Sequence, residues 1–252
     1  MLEWPEDSLQ SLLNGPWWVK VNPLQAKVDQ GTLLLAFVHY PENKPHRLIA
    51  LGRTEDGRHD KVDYQIEEYD VQKLYPASRL PVAALPKTPQ EEYFVYRGKI
   101  RPVLVVGPVH KRPSREIRAG SSRWKTDPTL LVAPYFGTDP KPEREGWPAE
   151  FVDRIRRCLY PQYMWDNLPV PGSEKQGSVL RMDQILPIPH KTEAYRHSGW
   201  ELSKNALAVV QEWLQWSMLN RYPRDGYLDL VRSQFWGHLS DSAAAAEEEP
   251  GA

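Results

Sequence analysis

Arg181 and Asp183 are the residues whose types and spacing best suit chemistry on a phosphate. They stand two apart in Ser178-Val179-Leu180-Arg181-Met182-Asp183-Gln184-Ile185, a run that reads as a strand. Residues two apart on a strand project from one face. A guanidinium beside a carboxylate fixes its direction through paired hydrogen bonds. Such a couple can supply a base for a hydroxyl and positive charge for a phosphate oxygen. Taken alone, it reads more readily as a structural ion pair on a half-exposed strand, with Leu180 and Met182 on the buried face.

A second source of positive charge lies upstream. Between Arg97 and Lys125 stand Arg97, Lys99, Arg101, Lys111, Arg112, Arg115, Arg118, Arg123 and Lys125, against the single acid Glu116. Nine against one leaves a local excess of eight, in a chain whose formal net charge is −1. Such a patch can draw in a polyanion while the rest of the protein stays neutral. A solvated loop that carries charge for solubility is the other reading. Trp124, inside this stretch, offers a ring for stacking on a base or for covering the end of a sheet.

Other chemistries find little support. A single cysteine, Cys158, excludes an internal disulfide and cysteine-based zinc sites. Its helical neighbours Phe151, Ile155 and Leu159 mark a buried structural thiol rather than a nucleophile. His39, His46 and His59 lack metal-ligand spacing and read as scattered surface residues. Walker, G-x-G-x-x-G, G-x-S-x-G and H-E-x-x-H patterns are absent. No apolar run approaches the length of a membrane span. The acidic start, Met1 to Asp7, lacks a basic region before an apolar core, so no secretory signal and a cytoplasmic address are expected. Ten tryptophans and 24 prolines in 252 residues suggest aromatic-lined surfaces that a partner could use.

The elements that must position these residues follow from pattern. Residues 1–75 read as a β-rich N-terminal region of unassigned function. It has a helical turn or two at 8–13 and strands at 17–21, 32–38 and 47–51. A Pro-rich passage follows, with a short edge strand at 80–85. Ile100 to Val106 and Thr129 to Ala133 are continuous, β-branched runs suited to buried strands, the second halted by Pro134. Residues 139–177 read as an excursion with one helix at about 149–159, and 178–185 as a third strand. Ser198 and Glu201 have capping-box spacing and predict a helix over about 199–220. Leu202, Ala206, Val209, Trp213, Trp216 and Leu219 form its apolar face. A second amphipathic stretch covers 226–238, and the tail from Ala243 predicts disorder.

Three blocks in this order resemble the PemK/MazF family of toxin endoribonucleases. Gly98-Lys99-Ile100-Arg101-Pro102-Val103-Leu104-Val105-Val106 looks like the family's G-x-x-R-P-x-L-V-[IV] strand. Pro128-Thr129-Leu130-Leu131-Val132-Ala133-Pro134 is similar to its T-x-x-V-A-P strand, and Ser178 to Ile185 to its S-V-[VL]-R-x-D-Q-[IV] strand. The resemblance spans roughly 76–220, with 221–252 left as a helix and tail. It implies a mainly β fold with α-helices: an SH3-like barrel, here with an N-terminal β-rich extension and C-terminal helices.

The family's activity is toxin-like, growth-inhibiting cutting of single-stranded RNA without a metal or other cofactor. The ribose 2′-OH attacks the adjacent phosphate and leaves a 2′,3′-cyclic phosphate and a 5′-OH end. The implied partners are RNA, an antitoxin protein and a second copy of the chain, with no membrane. Arg181 and Asp183 inherit the acid/base and phosphate-stabilising roles, and Arg101 the phosphate-contacting role. The loop 110–125 corresponds to the family's loop beside the RNA groove. Lys99, Lys111, Arg112, Arg115, Arg118, Arg123, Trp124, Lys125 and Gln184 are then RNA-binding candidates. One departure stands out. Where the family has Thr or Ser two residues after the equivalent of Pro134, this chain has Phe136. Thr138, behind Gly137, is the candidate substitute hydroxyl. Without it, a non-catalytic module that binds nucleic acid or protein is the alternative.

Overall fold

Apolar β-branched runs build the larger sheet. The structure, a computed structural model, describes residues 4–41, 43–58, 60–73, 91–121, 123–142, 145–171 and 177–236; the side chains of Arg123 and Trp124 lie outside the described residues. The Pro-rich passage with its edge strand at 80–85, the boundary at 75/76, His59 and the tail from Ala243 also fall outside them. The chain divides into two compact units, Met1–Phe37 with Ile100–Ala252, and Val38–Lys99. The chain up to Phe37 falls in the larger unit.

In the larger unit a short helix, α1 (Leu9–Leu12), precedes strands β1 (Trp18–Lys20) and β2 (Thr32–His39). After the smaller unit come β6 (Gly98–Val105), β7 (Thr129–Gly137), helix α2 (Ala149–Arg156), β8 (Tyr163–Asn167), β9 (Gly177–Arg181), β10 (Leu186–Pro189) and β11 (Tyr195–Leu202). Helices α3 (Lys204–Leu219) and α4 (Tyr227–Trp236) follow. The strands form one antiparallel sheet in the order β1-β11-β2-β6-β7-β9-β8, with β10 paired to β7. This mainly β architecture with helices matches the sequence expectation at that level. The closed barrel does not appear: among the described residues no backbone ladder joins β1 to β8, so the sheet is open. Side chains link its end strands instead. The Trp17 and Trp18 indoles donate to the Asp166 carboxylate on β8 at 3.2 and 3.3 Å.

Several local expectations shift for physical reasons. Pro134 does not halt β7. It lies opposite Val103, and beyond it Tyr135–Gly137 change partner to β9, so the missing N–H falls where one ladder hands over to the next. The residues from 199 to 202 are strand, because Trp200–Leu202 pair with β1. Helix α3 starts later, capped by Ser203, whose hydroxyl accepts from the Ala206 N–H. Ser198 instead donates to the Leu33 carbonyl. The predicted apolar face holds from Ala206 to Trp216, but Leu219, in the last turn, is exposed because none of the described residues packs on the end of the helix there. Ala206, Val209, Val210, Trp213 and Trp216 are buried, and Trp213 also donates to the Pro161 carbonyl at 2.8 Å. Glu212 caps α4 by accepting from the Tyr227 and Leu228 N–H groups. Cys158 is fully buried just after α2, and burial pushes its thiol far above the ordinary value.

The smaller unit is a three-stranded antiparallel sheet of β3 (His46–Gly52), β4 (Asp63–Glu68) and β5 (Tyr93–Val95), in the order β4-β3-β5. Arg47 on its central strand is buried and bridges Glu67 at 3.0 Å and Glu92 at 2.9 Å. A guanidinium held between two carboxylates is satisfied in a setting that would otherwise penalise its charge.

Candidate functional site

Strand register assembles the site on one face of the sheet. Val103 faces Pro134, Phe136 faces Val179, and Tyr163 faces Arg181. Side chains alternate along each strand, so Arg101 on β6, Phe136 on β7, Arg181 on β9 and Tyr163 on β8 share a face. On the opposite face Tyr135, Met164 and Leu180 enter the core.

The result alternates cations and rings. The Arg101 guanidinium carbon lies 3.9 Å from the centre of the Phe136 ring. That of Arg181 lies 5.7 Å from Phe136 and 5.1 Å from Tyr163. Both distances to Arg181 fall within the range at which a ring's quadrupole attracts a cation. Phe136, where the resemblance expects a hydroxyl, instead meets two guanidiniums.

Arg181 and Asp183 are joined as the sequence suggested, by a different route. Strand β9 ends at Arg181, and Asp183 sits in a 3-10 turn, Met182–Gln184. The turn still brings the carboxylate round: Arg181 Nε donates to Oδ1 at 2.7 Å and Nη2 to Oδ2 at 2.6 Å. This is the two-pronged pairing a planar guanidinium favours. Gln184, oriented with its amide oxygen toward Arg181, accepts from Nη2 at 2.9 Å and Nη1 at 3.2 Å. The Asp183 side chain is 35% exposed and that of Arg181 20%, so the couple stays within reach of solvent. Arg101, at 6%, is buried against its ring.

The remaining candidates are dispersed. Thr138 is buried, and its hydroxyl donates to the Gly177 carbonyl at 2.9 Å, so it points into the structure in this arrangement. Lys99 is exposed and belongs to the smaller unit. Lys111, Arg112, Arg115, Arg118 and Lys125 lie in the connection between β6 and β7. The Val105–Val132 pairing puts that connection at the end of the hairpin away from Arg101 and Phe136. Four residues of strand separate Arg101 from Val105, about 13 Å. Lys111, Arg115 and Lys125 are exposed, whereas Arg112 is tied to Asp127, which also meets Lys191 at 3.3 Å. Arg123 and Trp124 cannot be placed here, their side chains lying outside the described residues.

Sequence reasoning missed one ionisable group. Asp166 is fully buried and accepts from Trp17, Trp18 and the Tyr135 hydroxyl, the last at 2.9 Å. Burial raises its carboxyl from 3.8 to about 7, against the lowering effect of those hydrogen bonds. The same burial, with the carboxylate alongside, pushes the Tyr135 hydroxyl well above its usual range. The available signal was a lone aspartate inside the apolar run Met164-Trp165-Asp166. No helix among the described residues is long and apolar enough to cross a membrane. Comparison with models of protein families, with curated proteins and with solved structures finds no match.

Proposed function

We propose that this chain is a toxin-like endoribonuclease that cuts single-stranded RNA by attack of a ribose 2′-OH on the neighbouring phosphate. The observation that carries this reading is the solvent-reached Arg181–Asp183 couple, which shares the Phe136 ring with the Arg101 guanidinium. Asp183 takes the proton of the 2′-OH as its oxygen bonds to phosphorus. The bond from phosphorus to the 5′-oxygen breaks, leaving a 2′,3′-cyclic phosphate. The leaving 5′-oxygen takes its proton from water, since a guanidinium keeps its own, and the proton on Asp183 neutralises the hydroxide so formed and restores the carboxylate. Arg181 and Arg101 hold the phosphate oxygens, whose charge grows in the transition state. The reaction so written uses no metal.

A second reading, a module that binds RNA without cutting it, is favoured by Phe136 in the hydroxyl position and by the inward bond of Thr138. One experiment separates the two. Purified full-length protein is incubated with mixed-sequence single-stranded RNA in EDTA, and the ends are analysed. Cyclic-phosphate ends are expected. Asp183→Asn and Arg181→Ala should each slow cutting by about 10²–10⁴-fold, with circular dichroism and melting unchanged. RNA that is retarded in a salt-sensitive way yet stays intact establishes the binding reading. RNA neither cut nor retarded overturns both.

A further inference from the structure

The face that carries Arg181 runs on into a corner of aromatic rings. Tyr163, opposite Arg181, meets Trp147 edge-on at 5.8 Å and Phe151 at 5.7 Å. Trp147 and Phe151 are stacked, with centroids 5.6 Å apart and planes at 17°. These rings come from the excursion that the three family-like blocks leave unexplained. They pack on a buried patch of Ile155, Trp165 and Val179, and Trp147, Phe151 and Tyr163 are themselves partly buried.

The corner is built to stay in place. The Trp147 N–H donates to the Thr138 carbonyl at 2.8 Å. The preceding Gly146 has φ +85°, and a Cβ there would come within 2.7 Å of the Pro140 nitrogen. Only glycine fits that approach. Thr138 is itself bonded to Gly177 at the start of β9, so one short chain of contacts ties Trp147 to the strand that presents Arg181.

We propose that Trp147 forms a nucleobase subsite, stacking the base next to the phosphate held by Arg181 and Arg101, with Tyr163 edge-on beside it. The inference rests on the RNA reading of the site and names how that RNA is held. A single strand alternates anionic phosphates with flat, weakly polar bases. The face of the sheet alternates in kind: Arg101, itself buried, then Phe136, Arg181, Tyr163 and Trp147. Stacking is tolerant of base identity, so this subsite adds affinity for single strands with little sequence preference.

The test uses the full chain and a fluorescently labelled, 2′-O-methylated single-stranded RNA, which can bind but cannot be cut, beside an abasic oligonucleotide of equal length. Wild-type protein should bind the base-bearing strand about tenfold more tightly than the abasic one. Trp147→Leu should lose that preference and keep the salt dependence. Trp147→Phe, which keeps a ring, should retain most of the preference. Arg181→Ala should weaken binding to both strands and flatten the salt dependence. Equal wild-type affinity for the two strands overturns the subsite while the RNA reading stands, and this comparison needs no variant to fold. Wild-type protein that binds neither strand overturns the RNA reading and the subsite with it.

Discussion

Two aspartates near the β8–β9 ladder are held in opposite ways. Asp166, across from Ser178, lies in the core and is met by three neutral donors: two indoles and a phenol. Asp183, just past the other end of the ladder, lies at the surface and is met by one guanidinium. The same side chain acquires two characters from its surroundings. Burial among neutral donors raises proton affinity and makes Asp166 a clasp between the two ends of the open sheet. A cation with water beside it leaves Asp183 accessible to a ligand. The residues should therefore separate cleanly by mutation. Asp183→Asn is the variant expected to stop cutting without moving the melting point. Asp166→Ala should do the reverse. It strands the donors of Trp17 and Tyr135, while Trp18 keeps the Asn167 carbonyl at 3.2 Å. Unsatisfied buried donors cost about 1–3 kcal/mol each, and removing a carboxylate that is itself costly to bury offsets part of this. A loss of about 2–4 kcal/mol in urea unfolding, followed by tryptophan fluorescence, is expected. Cutting should persist where the variant is folded. Loss of activity with unchanged stability would erase the distinction.

The contrast also marks where sequence could be read. Arg181 and Asp183 were visible because their partnership is local, needing only two intervening bonds of register and a turn. The strands around Val103–Val105 and Leu130–Ala133 were visible because buried strands leave unbroken apolar runs. The Asp166 clasp was hidden because Trp17 and Trp18 are nearly 150 positions away, and no periodicity links them. Ser198 and Glu201 misled for the complementary reason. Their spacing satisfies a capping box, but pairing of β11 with β1 and β2 claims those residues for a sheet. Tertiary pairing overrode a local signal of about 1 kcal/mol. The sheet's failure to close is likewise a property of its two end strands, which no single run of residues reports.

A pH series sharpens the comparison further. The Asp166 carboxyl rises from 3.8 in the unfolded chain to about 7 in the folded protein. Between those values the folded state keeps a proton that the unfolded chain has released. The resulting stability is fully present below about pH 4 and is lost as pH rises through about 7. Asp166→Asn does not titrate. Unfolding free energy of Asp166→Asn minus wild type should therefore grow more favourable to the variant from pH 4 to pH 8. Chemical denaturation across that range measures it. A flat difference would mean that Asp166 ionises in the fold as freely as in water.

Tyr135→Phe is the smallest and most specific perturbation of the clasp. It removes one hydroxyl and leaves the ring, which is buried at 2% exposure, to fill the same space. The hydroxyl donates to Asp166 Oδ2 at 2.9 Å and lowers the carboxyl's proton affinity. Its loss should thus raise that affinity and move the fall in stability to higher pH. Bonds to an ionised acceptor are worth more than bonds to a neutral one. The cost should be about 1 kcal/mol near pH 5, where the carboxyl holds its proton, and about 2 kcal/mol at pH 8, where it does not. RNA cutting should not respond, because Tyr135 enters the core on the face of β7 opposite Phe136. An equal cost at both pH values would mean that the hydroxyl serves only the packing of the strand. The clasp would then rest on the two indoles alone.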